Sequence, residues 1–199
     1  GFGNARQYAA LLSEEILGAR VVAVTDSSGG VANPKGMDPH LLVGHKLDTG
    51  SVTGFPNSEP ISNEEVLELD VDILYPAALE NVITEKNAPR VRARISCELA
   101  NGPQTPEADD VLHENGTLFI PDFLANAGGV TASYFEMIQN ITNHYWTAER
   151  ANAELDQKMT KAFHQVYECA QGHQVHMRLG AYMVAVQRVA EAVRLRGWV

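Results

Sequence analysis

Four short apolar runs alternate with helix-forming segments over the first 125 residues, and this alternation constrains the fold more than any other feature. The runs span residues 20–25, 71–75, 94–98 and 117–120. Each has the length and composition of a strand buried on both faces of a parallel sheet. The pattern predicts an α/β fold with a doubly wound, mostly parallel sheet of the Rossmann type, followed by a helical C-terminal segment.

Residues that start and stop helices define the predicted segments between these runs. Helices are expected over residues 4–17, 38–49, 62–69 and 105–116, then over 126–146, 147–171 and 177–196. Residues 27–36 are rich in Gly, Ser and Asn, and are predicted to form a loop. The last helix has an apolar stripe that is expected to pack on the core, formed by Tyr182, Ala185, Val186, Val189, Ala192 and Val193.

The chain opens with a Gly-x-Gly turn directly before a predicted helix, formed by Gly1, Phe2, Gly3, Asn4 and Ala5. In doubly wound sheets such a turn joins the first strand to a helix whose N-terminus faces a pyrophosphate. A lone Gly-x-Gly is weak evidence, because an ordinary glycine-rich loop has the same composition. The Gly-x-Gly-x-x-Gly/Ala pattern ends in a small residue, and Arg6 stands at that last position here.

Asp26 strengthens the dinucleotide interpretation, because it ends the next apolar run about 20 residues on, where an acid holds the adenosine ribose. Ser27 adds a hydroxyl beside it, and no Arg or Lys adjoins it in sequence to favour a 2′-phosphate. The strand that normally precedes the turn is central in a Rossmann sheet. We therefore expect a dinucleotide-binding domain over residues 1–146 that lacks its first strand, and expect the chain to be part of a longer protein.

Two turns that contain both Asn and Gly follow later apolar runs, one at Asn101 and the other at Asn126. Open α/β sheets bind ligands at this carboxyl edge, and an Asn side chain suits a carboxamide or a ribose. Turn geometry alone would also account for Asn and Gly at these positions. The positions of these residues in the sequence do not distinguish ligand binding from turn geometry.

Charge and composition exclude several classes of function. The net charge of −10 argues against binding nucleic acid or an anionic membrane surface, both of which favour clustered Lys and Arg. No apolar run reaches transmembrane length, and two distant cysteines make no disulfide framework, so a cytoplasmic location is expected. The histidines are scattered without carboxylates at metal-ligand spacing, and no metal site is predicted.

Residues 120–136 (Ile-Pro-Asp-Phe-Leu-Ala-Asn-Ala-Gly-Gly-Val-Thr-Ala-Ser-Tyr-Phe-Glu) closely resemble the signature segment of glutamate dehydrogenases. Residues 24–30, 76–81, 100–109 and 196–199 resemble that family as well, in family order. The resemblance spans essentially the whole chain and is nearest to the hexameric bacterial and archaeal type. It implies oxidative deamination of L-glutamate to 2-oxoglutarate and ammonia with NAD or NADP, in a homo-hexamer.

The same resemblance assigns roles to individual residues. It implies that residues 1–5 cradle the pyrophosphate and Asp26 the adenosine ribose. Ala77 and Ala78 would line the cofactor cleft, while Asn101 and Asn126 would hold the nicotinamide ribose and carboxamide. Val130 would pack near the substrate side chain, and Ser133 would bind the substrate's distal carboxylate.

Catalytic residues are not assigned, because the family's catalytic lysine and aspartate belong to a substrate-binding domain whose motifs do not occur in these 199 residues. The helices over residues 147–199 are expected to pack back toward that domain. Two alternatives stay open: a dehydrogenase of leucine, valine or phenylalanine, and a dinucleotide-binding module without catalysis. Ser133 favours glutamate, because a hydroxyl suits a carboxylate and an apolar side chain prefers an apolar neighbour.

Overall fold

A computed structural model describes residues 2–197, apart from the side chain of Asn4. The prediction for Gly1 therefore lies outside the described residues. The helices are α1 Asn4–Leu17, α2 Pro39–Thr49, α3 Pro106–Glu114, α4 Asp122–Ala125, α5 Ala127–Thr142, α6 Ala148–His173 and α7 Met177–Leu195. The strands are β1 Val21–Asp26, β2 Gly29–Met37, β3 Glu59–Ile61, β4 Ile73–Leu74, β5 Ile95–Cys97 and β6 Leu118–Ile120.

The strands form two three-stranded sheets. In one, which we call the parallel sheet, β4, β5 and β6 lie side by side in sequence order and run in the same direction. In the other, the antiparallel sheet, β2 lies between β1 and β3. The predicted α/β class, with parallel strands and a helical C-terminal segment, is confirmed. The antiparallel pairs were not anticipated.

The prediction that residues 27–36 form a loop is wrong, because they form most of β2. Glycine is needed there for space. A Cβ on Gly30 would lie 2.5 Å from Thr25 Cγ2 and 2.9 Å from the carbonyl oxygens of Val24 and Ile61. The glycine content that indicated a loop instead lets β2 lie closely between its two neighbours.

Local capping residues set the helix starts where the sequence predicted them. The Asp38 carboxylate accepts hydrogen bonds from the backbone N–H groups of His40 and Leu41, with Pro39 at the first helical position. Thr105 caps α3 in the same way. The segment predicted to be helical over 62–69 contains only a 3₁₀ turn, Glu65–Glu68.

Three apolar clusters hold the elements together. One lies around the parallel sheet and includes Phe119 and Leu112. A second packs Phe2, from the opening turn, with residues of the antiparallel sheet and α2. The third joins β6, α4, α6 and α7, so the C-terminal helices pack against β6, an outer strand of the parallel sheet, and against α4.

The prediction that the α7 stripe packs on the core is wrong. Tyr182, Val186 and Val189 are 53%, 66% and 63% exposed. The residues of α7 that are buried are Met177, Gly180 and Ala181, on the face that contacts α6. Helical spacing correctly indicated a helix, but apolar residues lie on two of its faces, and the face that packs is not the one carrying the predicted stripe. Among the described helices, none is both long and apolar enough to span a membrane.

Candidate functional site

The loops after β4 and β5 meet at the carboxyl edge of the parallel sheet. The carbonyl oxygen of Pro76 accepts hydrogen bonds from the backbone N–H groups of Leu99 and Ala100, at 3.0 and 3.1 Å. Ala77, next to Pro76, is half-buried, and Ala78 is exposed. Small side chains in this position leave the strand edge open to a flat ligand.

Asn101 and Asn126 lie together at this edge, although 25 residues separate them in sequence. The Asn126 Nδ2 donates a hydrogen bond to the Asn101 Oδ1 at 2.8 Å. Asn101 is exposed and Asn126 is half-buried. The two turns that the sequence left undecided therefore form one polar group that faces outward.

Helix α5 begins immediately after Asn126 and carries the two residues assigned to the substrate. Val130 is 71% exposed, and Ser133 is also exposed. Residues three apart on a helix share a face, so both side chains lie on the same side of α5, one to two turns from Asn126.

The opening turn leads into α1, whose N-cap is Gly3. Among the described side chains, none caps this helix end. Gly3 is exposed, and no described atom outside its two chain neighbours lies within 4 Å of where a Gly3 Cβ would be. Uncapped N–H groups and the positive end of the helix dipole attract anions. Ala5 is exposed, and Arg6 is half-buried, with burial lowering its pKa.

Helix α1 also contacts the parallel sheet, because the hydroxyl oxygens of Ser13 and Tyr75 lie 2.9 Å apart. Tyr75 directly precedes the loop that holds Ala77 and Ala78. This hydrogen bond connects the first helix to the edge at which the two asparagines meet.

Asp26 ends β1, as predicted, but its carboxylate is turned inward and the residue as a whole is only 4% exposed. It accepts hydrogen bonds from Lys46 Nζ at 2.5 Å and from the backbone N–H groups of Val52 and Ser28, at 2.9 and 2.8 Å. Burial opposes its ionisation, but these donors outweigh burial and lower the pKa of Asp26 to about 2. The neighbouring Ser27 is exposed.

No Arg or Lys adjoins Asp26 in sequence, but in three dimensions Lys46 reaches it from the last turn of α2. The sequence carried no signal of this ion pair, since 20 residues separate its partners. The charge of Asp26 is thus compensated before any ligand is considered.

A buried charged cluster, which the sequence analysis missed, lies behind the two asparagines. Arg178 of α7 contacts three carboxylates: Glu98 through Nη2 at 2.6 Å, Asp109 through Nε at 2.7 Å and Asp122 through Nη1 at 3.0 Å. The Glu98 side chain is fully buried and that of Arg178 is 13% exposed. The burial of Glu98 and Asp109, unusual for these residue types, distinguishes this cluster from surface charge.

Three carboxylates around one guanidinium leave excess negative charge in a region poor in water. Burial raises the pKa of Glu98 to about 7, despite the opposing effects of Arg178 and of the N–H of Asp122. The nearby Asp122 carboxylate adds to the rise. Within residues 2–197, no group of His, Cys, Asp and Glu side chains is arranged to hold a metal ion.

Comparison with known proteins identifies the family to which this chain belongs. The family model described as glutamate/leucine/phenylalanine/valine dehydrogenase matches residues 1–197. The chain belongs to this family. Its glutamate dehydrogenase relatives include one from Thermotoga maritima, 49% identical over 99% of this chain and 47% of the relative. A cryptic catabolic NAD-specific glutamate dehydrogenase from Bacillus subtilis is 47% identical, over 100% of this chain and 46% of the relative.

Solved structures of the family superpose on the whole fold. The hetero-hexameric glutamate dehydrogenase of Thermus thermophilus, in a leucine-bound form, matches with a TM-score of 0.89 at 34% identity, covering 98% of this chain and 46% of that one. The glutamate dehydrogenase of Peptoniphilus asaccharolyticus matches with a TM-score of 0.82 at 34% identity, covering 100% of this chain and 46% of that one. The chain thus spans about half the length of the family members that it matches.

Proposed function

We propose that this chain is the cofactor-binding part of an NAD- or NADP-dependent glutamate dehydrogenase. The whole enzyme would deaminate L-glutamate oxidatively to 2-oxoglutarate and ammonia. The observation that carries the proposal is the meeting of Asn101 and Asn126 at the carboxyl edge of the parallel sheet. Substrate-facing candidates Val130 and Ser133 follow within two turns of α5.

The residues on this edge fit a dinucleotide. We assign the opening turn, residues 1–5, to the pyrophosphate, because the backbone N–H groups at the start of α1, next to the exposed Gly3, suit an anion. Asn101 and Asn126 together offer amide donors and acceptors for a ribose and a carboxamide. The small side chains of Ala77 and Ala78 leave room for a flat ring. When bound, the nicotinamide supplies the hydride acceptor.

The adenosine end needs a modified assignment. Because Lys46 and backbone N–H groups already engage the Asp26 carboxylate, we assign the ribose to the exposed Ser27 hydroxyl and the main chain around it, with Asp26 fixing that turn. The names of curated relatives support NAD, since those from Bacillus subtilis and Staphylococcus aureus are called NAD-specific.

Substrate choice rests on Ser133 in this proposal. Its exposed hydroxyl can donate a hydrogen bond to the distal carboxylate of glutamate. A leucine side chain there would leave that hydroxyl without a partner, and sites built to hydrogen-bond discriminate strongly against apolar substrates.

The test is steady-state kinetics of the whole enzyme that carries this chain, with glutamate, leucine, valine and phenylalanine, each with NAD and with NADP. We expect kcat/KM for glutamate to exceed that for every apolar amino acid by at least about tenfold. A larger kcat/KM for leucine would overturn the substrate. Cooperative unfolding and tight NADH binding by residues 1–199 alone, without dehydrogenase activity in any longer form, would support the non-catalytic module instead.

The proposal extends to assembly and location. We assign residues 1–146 to the dinucleotide-binding domain and residues 147–199 to helices that pack back toward a substrate-binding domain, whose contact would cover the exposed stripe of α7. A homo-hexamer and a cytoplasmic location complete the proposal. Light scattering of the whole enzyme tests the first of these.

A further inference from the structure

Asp122 lies between the two asparagines and is bonded to both of their turns. Its Oδ2 accepts a hydrogen bond at 2.8 Å from the backbone N–H of Gly102, the residue after Asn101. Its main-chain carbonyl accepts one at 2.8 Å from the backbone N–H of Asn126. A shift of Asp122 would therefore change the separation of Asn101 and Asn126.

Arg178 holds Asp122 from two directions. Its Nη1 donates to the Asp122 carboxylate at 3.0 Å, and its Nη2 donates to Glu98 at 2.6 Å. Glu98 in turn accepts a hydrogen bond from the Asp122 backbone N–H at 2.9 Å. One guanidinium thus fixes both the side chain and the main chain of Asp122, and a rigid planar fork is suited to such bridging.

A third carboxylate sets the direction of the guanidinium. Arg178 Nε donates to Asp109 at 2.7 Å, and Asp109 also accepts from Gln104 Nε2 at 2.5 Å. Arg178 stands in the first turn of α7, where the helix dipole disfavours a cation. The position of Arg178 is therefore explained by its carboxylate partners and not by the helix dipole.

We propose that Arg178 is a positioning residue for the nicotinamide half of the dinucleotide. Acting through Asp122 and Glu98, it sets the spacing of Asn101 and Asn126, and so couples the C-terminal helix to the cofactor-binding edge. The inference rests on the proposed function. It assigns no contact between Arg178 and the cofactor.

The test compares two ligands on the whole enzyme. NADH uses both halves of the site, whereas ADP shares only the adenosine and pyrophosphate portion. Dissociation constants for NADH are measured by its fluorescence, and those for ADP by competition with NADH. The variants are Arg178→Lys, Arg178→Met and Asp122→Asn. The control is Arg188→Met, on an exposed position of the same helix, where the arginine contacts Gln165.

We expect Arg178→Met and Asp122→Asn to weaken NADH binding by about tenfold or more, and to change ADP binding by less than about twofold. Arg178→Lys keeps the charge without the planar fork, and should fall between wild type and Arg178→Met. Arg188→Met should match wild type for both ligands.

Equal weakening of NADH and ADP would overturn the inference, as would unchanged NADH binding in the Arg178 variants. Loss of folding in all three variants, with Arg188→Met intact, would overturn it too, because the cluster would then serve stability alone. A wild-type enzyme that binds no NADH would overturn the proposed function itself, which separates the two failures.

Discussion

The Nζ of Lys46 lies 2.5 Å from the Oδ2 of Asp26, so a cation from α2 neutralises the acid that ends β1. The Asp26 side chain is 3% exposed and that of Lys46 is 21% exposed. An acid at this point of a dinucleotide-binding fold ordinarily repels a 2′-phosphate. If the proposed adenosine site is occupied, the pairing with Lys46 would reduce that repulsion.

Lys46→Gln should therefore shift the enzyme further toward NAD. With its cationic partner removed, Asp26 would carry a negative charge that no cation balances, near the adenosine site proposed above. We expect the ratio of kcat/KM for NADP to that for NAD to fall by about tenfold, equivalent to ~1.4 kcal/mol. The exposed Lys158 of α6 provides a matched control, Lys158→Gln. Equal changes in both variants would contradict the prediction.

Asp26 should also govern stability in acid. Its pKa is about 2 in the folded protein against 3.8 unfolded. The folded state therefore binds fewer protons, and the stabilisation is complete above pH 3.8 and is lost as the pH falls toward 2. The loss corresponds to about 2 kcal/mol. Melting temperatures between pH 5 and pH 2 should decline less steeply in Asp26→Asn than in wild type. The exposed Asp48→Asn variant should follow wild type.

Glu98 should make stability depend on pH in the opposite direction. Its pKa rises from 4.5 to about 7 on folding, mainly through burial. The folded state binds the extra proton, so this stabilisation is complete below pH 4.5 and is lost as the pH rises through 7. Because one proton is involved, the free energy of unfolding should fall by at most ~1.4 kcal/mol per pH unit. Glu98→Gln cannot titrate, and its melting temperature should decline less between pH 5 and pH 8. Parallel pH profiles for variant and wild type would count against the assigned pKa.

Gly180 sets the distance between α6 and α7. A Cβ on Gly180 would lie 2.8 Å from the Ala170 Cβ and 3.1 Å from the Ala170 backbone. Gly180→Ala should destabilise the fold by about 1–3 kcal/mol, as overpacking does in cores. Gly172 of α6 has nothing within 4 Å of its Cβ position. Gly172→Ala should be neutral or stabilising by up to ~1 kcal/mol. Urea unfolding of the Gly180→Ala and Gly172→Ala variants tests this prediction. Equal unfolding midpoints for the two variants would contradict a close contact at Gly180.

Ser133 should control substrate preference. Ser133→Val removes the hydroxyl assigned to the distal carboxylate, and a hydrogen bond to a charged group contributes about 1.5–3 kcal/mol. We expect kcat/KM for glutamate to fall by about 10- to 100-fold, while that for leucine holds or rises. Ser133→Thr retains a hydroxyl and should keep most of the glutamate activity. If the Ser133→Val variant is as active as wild type on glutamate, Ser133 does not bind the distal carboxylate.

Features encoded by neighbouring residues were predictable from the sequence. Asp38 with Pro39, and Thr105 with Pro106, define helix starts because capping involves residues within one turn. The carboxyl-edge placement of Asn101 and Asn126 followed from their positions after predicted parallel strands, although only the structure shows that the two side chains are hydrogen-bonded to each other.

The remaining features depend on contacts that are distant in sequence. Arg178 meets Asp109 and Glu98 across 69 and 80 residues, and no local pattern indicates such a pairing. The glycine-rich β2 strand was missed for a related reason. Propensity reflects the isolated segment, whereas the close packing at Gly30 exists only once β1 and β3 are in place.

The hydrogen bond between Asn126 Nδ2 and Asn101 Oδ1 has an energetic consequence for any carboxamide that docks at this edge. The arriving group must exchange with a bond that already exists, and so gains only the difference between the two arrangements. Selectivity at this edge would then derive from geometry more than from bond strength. A ligand without an amide would leave the asparagines bonded to each other, and would therefore lose little binding free energy relative to a ligand that carries one.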